Sequence, residues 1–322
     1  MPILLGCGIL WWMYRNFDFG SIATTLLHET NWWWMAFSLV FGVTAQLFRG
    51  LRWTQLLTPI GEQPRRSTCI HAVFMSYAAS LIIPRIGEAT RCGVLAKYDG
   101  VSFSKALGTV ITERIIDSAL ILVTIICVGL SQLKVFVDFF AETGTNIDKW
   151  ISTFTPTGWA VTIVCVLITI AFIWIVLKRL TFSSRISKII TDLKAGIGSL
   201  RNVKNKPLFA LYTLGIWGSY FLHYYITFFC FDYTADLGID VALVSFVVGT
   251  VAVIVPTPNG MGSWHFAVKT ILVLYGVEPT CAETFVLIVH TIQTALVPIL
   301  GIYSSACLSF EKSKNELSTK NT

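Results

Sequence analysis

Long apolar segments recur along the whole chain and are separated by short polar connections. A transmembrane α-helix needs about 20 apolar residues, and most of these segments approach that length. The pattern predicts an all-α polytopic membrane protein, with a single integral membrane domain over 1–322, because the longest polar stretch covers only about 178–206. The apolar segments are 2–14, 32–57, 67–83, 106–131, 157–177, 207–231, 241–256 with 263–275, and 281–309.

The basic residues assign sides to the connections, since Lys and Arg concentrate on the cytoplasmic side of a membrane. The loop 178–206 carries eight Lys or Arg residues against one acid, Asp192, and is predicted to be cytoplasmic. The short tail 311–322 also carries lysines and is predicted to be cytoplasmic. The connections on either side of 241–275 carry acids and no base, and we expect them outside together with the loop 132–156.

Two apolar segments are interrupted by helix-breaking residues. If 106–131 starts on the cytoplasmic side, 67–83 must enter from that side and return to it. We therefore expect about six transmembrane helices and two re-entrant hairpins entered from opposite faces, an inverted repeat typical of transporters. The predicted breaks are Pro84 and Gly87 in "PRIGE", and Pro256, Pro258, Gly260 and Gly262 in "VPTPNGMG".

The first apolar segment, 2–14, has 13 residues, which is short for a span of about 20. It has neither the basic start nor the small-residue cleavage site of a signal peptide. We expect it to be part of a first transmembrane helix that begins upstream.

Composition agrees with a membrane protein and narrows the function classes. The chain is 54% hydrophobic and 13% charged, with a mean hydropathy of +0.69, whereas soluble domains carry about 25% charged residues. The net charge of +6 arises from bases that flank apolar segments, which argues against nucleic-acid binding. The eight cysteines form no CxxC pair and are interpreted as packing residues. The sequence shows no protease, hydrolase or nucleotide-binding motif, so no catalytic residue, metal or cofactor is predicted.

The first charged constellation follows the break at Pro84. Arg85, Glu88 and Arg91 are spaced i, i+3 and i+6, so they would share one face of a helix. Arginine pairs bidentately with phosphate or carboxylate, and a helix start near Gly87 would add backbone N–H groups for an anion. The alternative interpretation is an internal salt bridge of Glu88 at the cytoplasmic interface.

The second constellation lies about two turns into 106–131. Glu113, Arg114 and Asp117 would be neighbours on that helix, at a depth where an unpaired charge costs several kcal/mol. We predict that they line a polar cavity facing Arg85 and Arg91. A purely structural network of ion pairs between helices is the alternative.

A third group follows the second break. Asn259, His265 and Lys269 are predicted to form the outer gate of the same polar path, with His265 and Lys269 one turn apart. His71, His223 and His290 are interpreted as packing or interface residues. Arg49 and Arg52 are interpreted as anchors that snorkel to the cytoplasmic interface, and 182–201 as an amphipathic helix on anionic inner-leaflet lipid.

These motifs resemble those of a known family. "PRIGEATR" (84–91), "GVSFSKALGTVITERIID" (100–117) and "PTPNGMG" (256–262) are similar to the lysylphosphatidylglycerol synthase transmembrane-region family, over roughly 10–310. The resemblance implies an integral membrane fold with re-entrant helices and a flippase-like role in moving lipids between leaflets. In the second motif Asn259 replaces a family glycine and His265 stands where the family has glutamate, which implies a change in headgroup preference or proton coupling.

We therefore predict a translocase of a membrane phospholipid or lipid-linked headgroup in the cytoplasmic membrane, with a cytoplasmic C-terminus. Arg85 and Arg91 would bind the headgroup anion, while Glu88, Glu113 and Asp117 would hold the arginines and meet any cationic group. The alternatives are an integral-membrane transferase or accessory subunit in aminolipid or glycolipid synthesis, and a membrane scaffold. Self-association or a separately encoded synthase is left open.

Overall fold

A computed structural model describes residues 2–15, 25–132, 184–255 and 257–320. Within these ranges the chain is helical and forms no strand, which confirms the all-α prediction. The predicted segment 157–177, nearly all of the loop 132–156, the start of the loop 178–206 and Pro256 lie outside the described residues. The main helices are α1 (Pro2–Tyr14), α2 (Trp32–Leu57), α3 (Arg66–Ile82), α4 (Gly87–Asp99), α5 (Phe103–Ser131), α6 (Ser184–Gly198), α7 (Lys206–Tyr225), α8 (Ile239–Ala252), α9 (Ser263–Leu274) and α10 (Pro279–Lys320).

Three helices of the described chain are long and apolar enough to cross a membrane. They comprise Trp32–Ile60, Phe103–Ser131 and Pro279–Glu311, and the last is continuous through Pro298. The bounds of α2 are the predicted ones, because Asn31 caps the helix by accepting a hydrogen bond from the Trp33 amide at 3.2 Å. A second asparagine, Asn205, caps α7 in the same way.

Ion pairs connect several helix ends at one face of the helix bundle. Arg65, just before α3, contacts Asp99 at the end of α4 at 2.8 Å and Glu311 of α10 at 2.7 Å. Lys105 in the first turn of α5 contacts Glu62 at 2.9 Å. The helix ends that are predicted to be cytoplasmic from their basic residues therefore lie together.

Two pairs of helices fold back on themselves at the predicted breaks. The α3–α4 pair turns at 83–86, and its outer ends are joined by the Arg65 amide, which donates to Asp99 Oδ2 at 2.8 Å. Gly87 permits the sharp turn, since a Cβ there would overlap the carbonyl oxygen of Ser76. The α8–α9 pair turns over 253–262. Helices of 12 to 17 residues in these pairs are shorter than an ordinary span.

The tips of the two pairs meet. Arg85 Nη2 in the first tip donates to the carbonyl oxygen of Ile254 in the second at 3.2 Å. Each tip contains one non-glycine residue with a left-handed backbone, Arg85 (φ 67°) and Asn259 (φ 50°). Asparagine tolerates this conformation better than most residues, so Asn259 fits its place in the second tip. Backbone strain of this kind often marks functional sites.

Helix α6 packs closely on α5 through two glycines, Gly108 and Gly196, where any side chain would meet backbone atoms. The Thr112 hydroxyl donates to the Gly196 carbonyl at 3.1 Å. Ile189 and Ile197 remain partly exposed on α6. The predicted helix is confirmed, whereas its contact with lipid stays a prediction.

Candidate functional site

A cluster of buried ion pairs joins α2 to α5. Arg52 is fully buried and lies 2.9 Å from Asp117 Oδ1 and 3.3 Å from Glu113 Oε1. Arg49, 4% exposed, lies 3.0 Å from Asp117 Oδ2. Arg52 also donates to the Thr213 hydroxyl of α7 at 3.3 Å. The interpretation of Arg49 and Arg52 as snorkelling anchors is therefore wrong, because both guanidinium groups point into the protein.

Arg91 extends the cluster from α4. Its Nη1 lies 2.6 Å from Glu113 Oε2, and its guanidinium carbon lies 4.7 Å from the ring centroid of Trp53. Trp53 in turn donates to the Thr109 hydroxyl at 2.8 Å. Arg91 is thus held between a carboxylate and an aromatic face, both favourable to a guanidinium.

We call Arg49, Arg52, Arg91, Glu113 and Asp117 the buried ion cluster. Three guanidinium groups face two carboxylates, so the cluster carries one excess positive charge. Arg49 Nε and two nitrogens of Arg91 have no hydrogen-bond partner among the described residues. The excess charge and the free donors favour an anion nearby.

The other predicted residues separate into different environments. Arg85 precedes α4, so the predicted common helical face of Arg85, Glu88 and Arg91 is wrong. Glu88 and Arg114 form a pair at 3.5 Å with side chains 44% exposed, and Arg114 also contacts Asp117 at 3.2 Å. Only Arg91, Glu113 and Asp117 of the first two constellations belong to the buried ion cluster. The substrate-binding role of all these residues stays a prediction.

A cavity of about 410 Å³ lies beside the meeting tips. This central cavity is lined by side chains of α2, α3, α5, α7, α8, α9 and α10 and by the second tip, and its volume is typical of small-molecule sites. Arg49 approaches it from behind Tyr220, with the guanidinium carbon 5.9 Å from that ring centroid. Its polar lining comprises Gln46, His223, Asn259, His290, Gln293 and Thr294, and its aromatic lining includes Tyr77, Trp217, Tyr220, Tyr224 and Trp264.

The central cavity adjoins two more apolar cavities. A side cavity of about 130 Å³ shares Ile121, Trp217, Phe246 and Thr250 with it. An outer groove of about 700 Å³ shares Ile125 and Val247 with the side cavity and is lined almost wholly by apolar residues. The described residues thus form a mainly apolar chamber that carries several polar side chains, next to cavities that are almost wholly apolar, a combination that suits an amphiphile.

The second tip is held by hydrogen bonds within the protein. The side-chain amide of Asn259 donates to the Thr294 hydroxyl at 2.8 Å. The backbone carbonyl oxygen of Asn259 lies 3.0 Å from His290 Nε2. The rings of His265 and His290 lie 4.4 Å apart. Lys269 pairs with Glu283 of α10. Asn259 and His290 line the central cavity, whereas His265 and Lys269 do not.

His265 has a local structural role. Its Nδ1 accepts a hydrogen bond from the Gly262 amide at 3.3 Å and so caps α9. A glutamate at this position would cap in the same way, since the third residue of a helix commonly accepts from the cap amide. Among the described residues, no group of His, Cys, Asp and Glu side chains is arranged to hold a metal.

A pair of substitutions at His265 tests this capping role. We expect His265→Leu to lower the free energy of unfolding by about 0.5–2 kcal/mol, because the Gly262 amide loses its acceptor. His265→Gln keeps an acceptor and should have a smaller effect. Melting temperatures in detergent check this, and equal losses for both variants would contradict it.

The sequence patterns did not identify four residues as members of the site, namely Arg49, Arg52, Gln46 and His290. The arginines had a detectable signal, because their i, i+3 spacing places both on one face of α2, as Glu113 and Asp117 share a face of α5. Gln46 precedes Arg49 by three residues and lies on the same side of α2. His290 gave no signal, since its importance depends on the second tip, 31 residues away.

The chain was compared with models of known protein families. A family model described as lysylphosphatidylglycerol synthase TM region matches residues 1–301. The chain belongs to this family. Membership in the lysylphosphatidylglycerol synthase TM region family identifies it as a membrane protein and indicates lipid or aminolipid metabolism, and the match agrees with the resemblance predicted over 10–310. No curated protein and no solved structure matched the chain.

Proposed function

We propose that the protein moves a lipid headgroup between leaflets through the central cavity while the acyl chains remain in apolar surroundings. The observation that carries the proposal is the position of the central cavity, with its polar side chains, beside the apolar side cavity and next in line to the outer groove, through shared lining residues. Moving a headgroup through bare hydrocarbon is costly because its polar groups lose hydrogen bonds. In this proposal the polar side chains of the central cavity lower that cost, while the adjacent apolar cavities take the acyl chains.

In this proposal the α3–α4 and α8–α9 pairs are re-entrant hairpins entered from opposite faces. Their short helices, the polar ties at the outer ends of α3–α4 and the contact of Arg85 with Ile254 support it. Six further membrane helices and an inverted repeat complete the proposed architecture. Broken helices that meet in this way are typical of transporter binding sites.

The headgroup anion is proposed to lie near Arg85 and the buried ion cluster. Arg85 is exposed at the tip, and its carbonyl partner Ile254 lines the central cavity. Arg49 adds positive charge from behind Tyr220. A phosphate entering the chamber would therefore meet positive charge at two points.

The basic residues suggest how the protein lies in the cytoplasmic membrane. The face that gathers the ends of α2, α4 and α10 is proposed to be cytoplasmic, following the positive-inside rule. The C-terminus then lies inside. Exposed Lys194 and Arg201 near Ile197 would rest on anionic lipid.

The junction of the two cavities offers a direct test. Thr250 of α8 lines both the central and the side cavity, so Thr250→Phe would place a ring at the boundary where the proposed route crosses from one to the other. We expect the variant to slow leaflet exchange about tenfold, a barrier increase of about 1.4 kcal/mol. The full-length protein is reconstituted in vesicles with fluorescent phosphatidylglycerol, and dithionite quenching reports the exchange rate.

Thr270→Phe is the matched control. Thr270 also bonds its hydroxyl to the carbonyl four residues earlier, as Thr250 does, but it lies outside these cavities. We expect exchange at the wild-type rate. A wild-type protein without exchange activity, or equal slowing by both variants, would refute the route. If deletion of the gene removes a lipid species from the membrane, a role in aminolipid or glycolipid synthesis replaces the proposed translocation.

A further inference from the structure

The central cavity differs chemically from its surroundings. The structure contains the buried Arg49–Asp117 pair and the Lys269–Glu283 pair, yet no Asp, Glu, Lys or Arg is among the described residues that line the central cavity. Its polar groups are amides, imidazoles and hydroxyls. A site for a charged headgroup would be expected to offer an opposite charge.

Two residues that line this chamber each carry a buried polar atom with no hydrogen-bond partner in the described part of the chain. Gln46 is 5% exposed, and its Oε1 is an unpaired acceptor. Trp217 Nε1 is an unpaired donor, and both residues line the central cavity. Leaving buried polar atoms unpaired is costly, so they point to a ligand that completes them.

An acceptor and a donor together select among headgroups. An ammonium group can donate to Gln46 but cannot accept from Trp217, and a phosphate has the opposite limitation. Hydroxyl groups both donate and accept, so a polyhydroxylated group can satisfy both atoms. The aromatic faces of Trp217 and Trp264 would cover the C–H face of a sugar or polyol.

The surrounding charge disfavours a cationic headgroup. Arg49 lies behind Tyr220, and Arg85 contacts the carbonyl of Ile254, so two cations flank the central cavity. Arg49 belongs to the buried ion cluster, whose excess positive charge acts in the same direction. An aminoacyl headgroup would be repelled, whereas an uncharged sugar or polyol would not.

Resting on the proposed function, we infer that the central cavity binds a polyhydroxylated headgroup, a sugar or a polyol without an ammonium group. Gln46 accepts from one hydroxyl and Trp217 donates to another. Any phosphate of the same lipid lies toward Arg85.

Binding is tested with the full-length protein in detergent. It is mixed with equimolar monoglucosyl diacylglycerol, phosphatidylglycerol, lysylphosphatidylglycerol and phosphatidylcholine, and native mass spectrometry measures the lipids retained. We expect one or both hydroxylated lipids to be retained about tenfold more than the two ammonium lipids, and the first two arms separate a sugar from a polyol phosphate. Equal or greater retention of the ammonium lipids would overturn the inference.

Substitution of Gln46 tests the residue directly. We expect Gln46→Leu to lower retention of the preferred hydroxylated lipid about tenfold, since one hydrogen bond is lost, while the fold is kept because an unpaired amide is removed. Gln55→Leu is the matched control. Gln55 lies on the same helix with an amide that also has no partner in the described ranges, but it lines a different cavity. Equal losses in both variants would count against the site.

The same four lipids in the leaflet-exchange assay separate the two proposals. Selective binding of hydroxylated lipids without exchange of any lipid would refute translocation and leave the binding site supported. Exchange of all four lipids at one rate, with no selective binding, would refute the headgroup inference and support translocation.

Discussion

Replacing Arg52 with Met is expected to lower the free energy of unfolding by about 3–5 kcal/mol, since two hydrogen bonds to charged groups, Glu113 and Asp117, are lost at a fully buried site. The methionine side chain fills much of the arginine volume, so the loss reports charge more than packing. Unfolding in mixed detergent–SDS micelles measures the change. Arg65→Met is the control, because Arg65 is 42% exposed and its ion pairs are worth about 0–1 kcal/mol.

A double substitution distinguishes charge from shape in the same cluster. Arg91→Met and Glu113→Gln each remove one side of a 2.6 Å pair. We expect the double variant to lose less free energy of unfolding than the two single variants lose together. The difference should be about 0.5–3 kcal/mol, because neither charge is then left unpaired. Strict additivity would show that Arg91 and Glu113 do not interact as the structure has them.

Gly87→Ala is expected to destabilise the α3–α4 pair by about 1–3 kcal/mol, the usual cost of overpacking. The added methyl group would overlap the Ser76 carbonyl and the Ser80 hydroxyl, which accepts a hydrogen bond from the Gly87 amide at 3.2 Å. Backbone atoms of a neighbouring helix cannot move aside as a flexible side chain can. The two helices would have to separate.

Gly93 in the same helix provides a control of opposite sign. A Cβ there meets no heavy atom within 4 Å, counting described neighbours. Gly93→Ala should therefore stabilise α4 by about 0.5–1 kcal/mol through helix propensity. Melting temperatures of the two variants should move in opposite directions. A stable Gly87→Ala protein would contradict the close contact of α3 with α4.

The sequence predicted the helices and breaks because both depend on local physics. Apolar runs determine α2 and α5, and Pro84 determines where α3 ends. The buried ion cluster could not be predicted in the same way, since Arg49 and Asp117 are 68 residues apart and their contact depends on how α2 packs against α5. The central cavity is harder still, because it joins side chains from seven helices.

The buried ion cluster also has a consequence for biogenesis. Arg52 is synthesised 61 residues before Glu113. At about 5–20 residues per second, this separation corresponds to a delay of about 3–12 seconds. During that interval the carboxylate partners that Arg49 and Arg52 have on α5 have not yet been made. We therefore expect α2 to stay at a hydrated surface or within the insertion machinery until α5 follows it.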